Sequence, residues 1–175
     1  MIGSVRQIAY LVSNLEAATA QWSAVHHVGP WFASDPMPTS QAVYRGRPGR
    51  IALRAASAYS GNMEIELIQP LDDNPSIYRE AIDRIGYGLH HICYHSDALD
   101  SDIAAFVAGG QEIVQEFIVA GNFRIVYLGQ PGVIGSYIEL IQMTPAVTAM
   151  MESWELAAAE WDGVHRITYL NQSQQ

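Results

Sequence analysis

Four side chains carry the chemistry this sequence could do: Gln7, Glu66, His91 and Glu139. One amide, one imidazole and two carboxylates form an oxygen and nitrogen donor set suited to a divalent cation. The two negative charges neutralise the ion, and coordination positions stay open for a substrate. Two of the four stand in a repeat. Ile65-Glu66-Leu67-Ile68-Gln69 recurs unchanged as Ile138-Glu139-Leu140-Ile141-Gln142, each copy ending an alternating, β-branched segment of strand character. The other two open earlier segments, where Gln7-Ile8-Ala9-Tyr10 is echoed by His91-Ile92-Cys93-Tyr94. A duplicated unit with one carboxylate at the matching place in each copy implies a pseudo-twofold site between the copies.

Strand alternation then sorts the neighbours. If Glu66 faces the shared cavity, Glu64 and Ile68 face it too, and Tyr137 and Ile141 accompany Glu139. Gln7 is joined by Ala9 and Leu11, and His91 by Cys93 and His95. Glu64 is the competing acid and is expected nearer the mouth. His95 is either a pocket group beside the ligands or a partly exposed histidine, and His90 should face away and serve packing. Trp31, Phe32, Tyr44, Tyr59, Phe123 and Tyr127 are pocket or core aromatics; Trp31, Tyr44 and Phe123, with Arg54, are taken as candidate substrate contacts. His26 and His27 suit a helix end, and His165 receives no role. Gly132 and Gly135 read as a turn, because no strand, glycine cluster and helix follow in the order a nucleotide loop needs.

The elements that must position these groups follow from periodicity and caps. Asn14 caps a helix with Leu15, Ala18, Trp22 and Val25 on one face, ending near Gly29. Asp100 or Ser101 caps a second helix, with Ile103, Phe106 and Val107 on one face and the Gly109-Gly110 pair at its end. Strands are expected near Trp31 to Phe32 or Ala42 to Arg45, then Ile51 to Ala58 and Met63 to Gln69. The second copy has them near Glu112 to Val119, Phe123 to Leu128 and Tyr137 to Gln142. Each copy is thus strand, helix, three strands, and the Pro- and Gly-rich stretch from Ser34 to Arg50 makes the first copy longer. The expected organisation is a single α+β domain over 1–175. Its parts are module 1 at about 5–71, a linker helix at 75–86, module 2 at about 88–143, and a C-terminal helix at 145–161 with a frayed tail from Asn171. The two βαβββ modules would form a cupped, barrel-like mixed sheet. Thr144 and Pro145 start the C-terminal helix. Its Met150, Trp154 and Trp161 stripe is expected on the sheet's outer face or against a dimer partner.

Composition narrows the function. The chain has 175 residues with a net charge of -9, and 18 acidic residues outnumber 9 basic ones. That balance argues against nucleic acid as a partner. All the basic residues are arginines, and Arg45, Arg47, Arg50 and Arg54 leave room for a small local anion site. One cysteine cannot form an internal disulfide, and the absence of a signal-like start or a long apolar run leads to the expectation of a cytoplasmic protein without membrane contact.

The motifs also resemble a known family, the vicinal oxygen chelate superfamily of glyoxalase I, methylmalonyl-CoA epimerase, extradiol dioxygenases and bleomycin-resistance proteins. The likeness runs from Gln7 to Met143. It includes Gln7-Ile8-Ala9-Tyr10-Leu11-Val12-Ser13-Asn14-Leu15-Glu16, Gly29-Pro30-Trp31-Phe32, Ile65-Glu66-Leu67 and Tyr137-Ile138-Glu139-Leu140. Pro75-Ser76-Ile77-Tyr78-Arg79 and Gly86-Tyr87-Gly88-Leu89-His90-His91-Ile92 are most similar to the epimerase-like branch. The resemblance implies Gln7, His91, Glu66 and Glu139 as ligands of Zn, Co, Mn, Ni or Mg, the glutamine being like that of eukaryotic-type glyoxalase I. It further implies an isomerase, epimerase or lyase that stabilises an enolate or enediolate of a carbonyl or thioester substrate, in a homodimer. Glu139 is the implied base, and His95 and Glu64 are candidates for a second one on facing grounds. The rivals are a non-catalytic binding protein of the resistance type and a ring-cleaving dioxygenase. The dioxygenase needs two histidines where Gln7 leaves one.

Overall fold

The computed structural model describes residues 3–121, 123–129 and 136–170; Gly132, Gly135 and the tail from Asn171 lie outside them. The first half runs β1 (Gln7–Leu11), α1 (Leu15–His26), β2 (Trp31–Ser34), β3 (Thr39–Tyr44), β4 (Arg47–Pro48), β5 (Leu53–Ser60) and β6 (Met63–Pro70). The linker helix α2 (Ile77–Ile85) leads to β7 (Gly88–Ser96), α3 (Leu99–Ala108), β8 (Ile113–Val119), β9 (Phe123–Leu128) and β10 (Tyr137–Gln142). The helix α4 (Pro145–Ala159) and the short β11 (Ile167–Tyr169) follow. The fold is mixed α+β with one large curved sheet. Among the described residues it has 11 strands in the order β11-β2-β5-β6-β1-β7-β10-β9-β8-β3-β4.

The sheet's centre is where the two halves meet. β1 pairs antiparallel with β7, and each closing strand lies parallel to its opening strand, β6 on β1 and β10 on β7. The halves therefore join within one chain. Alternation gives every central strand two dry faces. Ala56, Ala58, Ile65 and Leu67 pack outward with Leu15 of α1, and Val126, Leu128, Ile138 and Leu140 pack outward with Leu99 and Ile103 of α3. Ala9, Leu11, Ile68, Cys93, Tyr127 and Ile141 face the concave interior. Each large aliphatic chain so buried contributes about 1.5–3 kcal/mol.

Several elements depart from the sequence expectation. α1 stops at His26 and not at Gly29, because His27 takes the left-handed conformation (φ 54°) that ends the helix. Gly29 instead lets the Trp161 ring approach, since a Cβ there would come within 2.8 Å of it. α3 begins at Leu99 after Ala98, with neither Asp100 nor Ser101 as cap. Ser96 Oγ accepts from the Ala98 N–H at 3.3 Å, and its hydroxyl donates to Asp102 at 2.6 Å. Both candidate segments between Trp31 and Arg45 are strands. The longer first half uses its extra length to send β3 and β4 across to the second half, where β3 pairs with β8. β11, unforeseen, lies parallel to β2.

The largest difference concerns α4. It lies inside the cup, not on the outer face, with Val147 and Met151 in the inner core. Trp154 stacks on Phe32, ring centroids 5.1 Å apart at 8°. The outer faces already carry α1 and α3, so the apolar stripe of α4 finds its cover on the concave side, over the small residues of β5. Among the described residues no helix is long and apolar enough to cross a membrane.

Candidate metal centre

The four ligand candidates converge. Gln7, at the start of β1, is cross-strand from Cys93, and Ala9 is cross-strand from His91. Those small neighbours leave space between the strands for the longer chains to meet. His91 Nε2 lies 3.2 Å from Gln7 Oε1, 3.2 Å from a Glu139 oxygen and 3.6 Å from a Glu66 oxygen. The Glu66, His91 and Glu139 donor atoms fall within 4.8 Å of one another and form a buried group that could hold a metal ion. Donors bound to one ion at about 2.0–2.2 Å stand roughly 3–3.5 Å apart, close to the 3.2–3.6 Å between His91 Nε2 and the three oxygens. Glu66 Oε2 and Glu139 Oε2 are buried without a hydrogen-bond partner. The residues fit a divalent ion both in donor chemistry and in the oxygens they leave unsatisfied.

Electrostatics point the same way. Burial, the Glu139 charge and the Glu64 charge push the Glu66 carboxyl well above the usual range. Burial also opposes ionisation of Glu139, but His91, Tyr127 and Cys93 outweigh it and hold that carboxyl below the usual range. Two carboxylates this close cannot both ionise cheaply without a cation.

His90 faces inward, contrary to the alternation argument. Between Ala9 and Tyr10 the register of β1 against β7 slips by one residue, so that Tyr10 pairs with Leu89 and His90 is the extra residue of a β-bulge. The bulge turns the ring into the interior. There it stacks on Tyr78 at 5.1 Å and touches Tyr137 and Tyr127. Its Nδ1 lies 2.9 Å from His91 Nδ1. One of these nitrogens must donate to the other; when His91 donates, its Nε2 is left bare to ligate a metal. Burial and the neighbouring His91 hold the pKa of His90 well below the usual histidine value.

A chamber of about 250 Å³ opens beside the centre. Gln7, Glu64 and Glu66 form its floor; Phe32, Met37, Phe123 and Ile141 form walls, with Met150, Met151 and Trp154 of α4 opposite. Glu64 is not at the mouth. Flanked by β1 and β5 in mid-sheet, it is 2% exposed, and its Oε2 has no partner. Burial raises its pKa, against hydrogen bonds from Ser57 and Gln7.

The other candidates scatter. Phe123 lines the chamber, as does Phe32. Trp31 is buried on the outer side under α1, its indole N–H donating to Ser23 Oγ at 3.0 Å. Arg54 is on the outer face of β5, bound to Glu16 at 2.6 Å and Asp35 at 3.0 Å. Tyr44 donates to Glu80 at 2.5 Å, with Arg45 2.9 Å from the same carboxylate. His95 is not among the described residues that line the chamber, and it has a buried Nε2 without a partner. Sequence reasoning missed His90, Ser57 and the α4 wall. Ser57 and Ala55 were the available signal, small residues on the inward face of β5 that leave a hollow.

Comparison with known proteins agrees with this fold. A family model described as the glyoxalase/bleomycin resistance protein/dioxygenase superfamily matches residues 6–127. No curated protein matches the sequence. Among solved structures, a hypothetical protein of Bacillus halodurans C-125 superposes with a TM-score of 0.59 at 16% identity, covering 81% of this chain and 94% of that one. Methylmalonyl-CoA epimerase from Mycobacterium tuberculosis gives 0.57 at 19% identity, covering 85% and 93%. A Streptomyces coelicolor methylmalonyl-CoA epimerase in complex with 2-nitronate-propionyl-CoA gives 0.53 at 18%, covering 82% and 99%. At these identities the structural likeness establishes the fold.

Proposed function

Because the chain belongs to the glyoxalase/bleomycin resistance protein/dioxygenase superfamily, we propose that it is a divalent-metal-dependent isomerase, epimerase or lyase. Its reaction passes through an enolate or enediolate of a 2-oxo or thioester compound. One observation carries the reading: His91 Nε2 confronts oxygens of Gln7, Glu66 and Glu139, from three different strands, within 3.6 Å. A single N–H satisfies one of those oxygens, whereas a cation satisfies all four donors at once. Gln7, Glu66, His91 and Glu139 would hold the ion. Bound there, it supplies Lewis-acid stabilisation of the charge that develops when a carbon beside a carbonyl loses its proton.

The proton goes to a carboxylate. Glu139, expected as the base, is buried and does not line the chamber, while Glu64 does so with an unpartnered oxygen. Glu64 is therefore assigned the base and Glu139 the ligand role. The epimerase neighbours support a thioester among the substrate classes. The apolar chamber walls also support a second reading, a binding protein without catalysis.

Elemental analysis of the purified chain separates the two, with about one divalent ion per chain expected for an enzyme. Solvent-deuterium exchange at the acidic carbon of 2-oxo and thioester compounds reads the base. Glu64→Gln should slow that exchange about 10²–10⁴-fold with the metal retained, whereas Glu66→Gln should lose the metal. Absence of any divalent ion would transfer the case to the binder, and undiminished exchange in Glu64→Gln would return the base to Glu139.

A further inference from the structure

We propose that the chamber selects a neutral, largely apolar small molecule presenting a carbonyl or hydroxyl oxygen to the centre, and rejects anionic and CoA-bearing compounds. This rests on the metal-centred reading above and narrows its substrate class. Three observations support it.

The first is shape and lining. At about 250 Å³ the chamber is smaller than most ligand pockets, and its walls are aromatic and thioether groups. The second is charge. Among the described residues no arginine or histidine lines the chamber. Glu64, Glu66 and Glu139 set three carboxylates against the two positive charges of an ion, so even with Glu64 neutral no positive surplus remains for an anion. Away from the ion, a carboxylate or phosphate would meet apolar walls and the acid Glu64 in place of a cationic partner.

The third is where the arginines are. Arg54 is held on the outer face by Glu16 and Asp35, and Arg45 is held by Glu80. Arg47 and Arg50 line a separate surface groove with Pro48, Asn74 and Pro75, which shares no lining residue with the chamber. The cluster that could meet the phosphates of a CoA tail thus lines a groove other than the chamber.

Trp154, stacked on Phe32 in the wall, provides the readout. Tryptophan fluorescence of the metal-loaded protein would be titrated with three probes: 1-phenyl-1,2-propanedione, its similarly sized anionic counterpart phenylglyoxylate, and propionyl-CoA. The expected result is saturable quenching by the dione at least about tenfold tighter than by phenylglyoxylate, with no saturation by propionyl-CoA. Trp154→Phe should remove the signal, and Met151→Phe, which fills the chamber, should weaken binding. Equal or tighter binding of phenylglyoxylate, or saturation by propionyl-CoA, overturns the proposal. The parent reading fails separately: dione selectivity in a protein that carries no ion, unchanged by Glu66→Gln, would keep the neutral-ligand chamber and remove the metal.

Discussion

The pseudo-twofold axis relates two ends of the cup, and the molecule has treated them differently. Aligning the two Ile-Glu-Leu-Ile-Gln copies makes Glu64 the counterpart of Tyr137. The sheet registers extend the comparison: Ser57 pairs with Glu66 as Tyr127 pairs with Glu139. At the second copy's end these positions hold large rings. Tyr127 and Tyr137 both pack with His90, Tyr127 also meets Tyr78 of α2 and is joined to it by a 3.1 Å hydrogen bond, and Tyr137 donates to Glu80 at 3.0 Å. At the first copy's end the same positions hold an acid and a hydroxyl, and space remains. Duplication therefore accounts for the ligands, while among the described residues the non-duplicated helix α2 fills one end and α4 walls the chamber at the other.

Exchanging the paired residues tests this contrast most severely. Tyr127→Ser at the filled end should destabilise by about 3–5 kcal/mol in urea unfolding, without opening a second dione site. Ser57→Tyr at the hollow end should abolish dione quenching at a cost of about 1–3 kcal/mol of stability. If Tyr127→Ser instead creates a second dione site with little loss of stability, the filled end is not a structural plug.

His90→Phe probes the link between the plug and the centre. The ring packing survives and the Nδ1 partner of His91 is lost. Metal affinity should fall about 10–100-fold, measured by chelator competition, with a smaller change in stability; a ¹⁵N spectrum of His91 should show a changed tautomer ratio. Unchanged affinity would reduce His90 to packing alone.

The smallest effect concerns the clamp on the filled end. Burial opposes the charge on Glu80, but hydrogen bonds from Tyr44, Arg45 and Tyr137 more than offset it, so its pKa lies below the usual 4.5. A depressed carboxyl contributes stability that is complete above the unfolded-state value and is lost as pH falls through the folded one. Glu80→Gln should therefore flatten the stability profile below about pH 4.5 and leave the hollow end's ligand affinity unaltered.

Much of this was legible before any coordinates. The exact five-residue repeat exposed the duplication, and alternation around it put Gln7, Glu66, His91 and Glu139 on one face. The linker helix was readable as a segment, and the C-terminal helix from its Thr144-Pro145 start. What could not be read were features set by pairing between distant segments. The bulge at His90 exists only because β7 must fit β1, so alternation along β7 alone misdirected the ring. Trp31 and Arg54 were plausible pocket groups until the sheet order put them on its outer side. The α4 stripe was visible, but whether it meets the convex or the concave face depends on α1 and α3 already occupying the former.

The parallel pairing of β11 with β2 joins residues 167–169 to residues 31–33. During synthesis the nascent chain cannot complete that pairing until residues 167–169 have themselves left the ribosome. Until then the β2 margin offers free amide and carbonyl groups to any neighbouring chain. A premature stop before Ile167 would make that temporary exposure permanent, a liability for aggregation during expression.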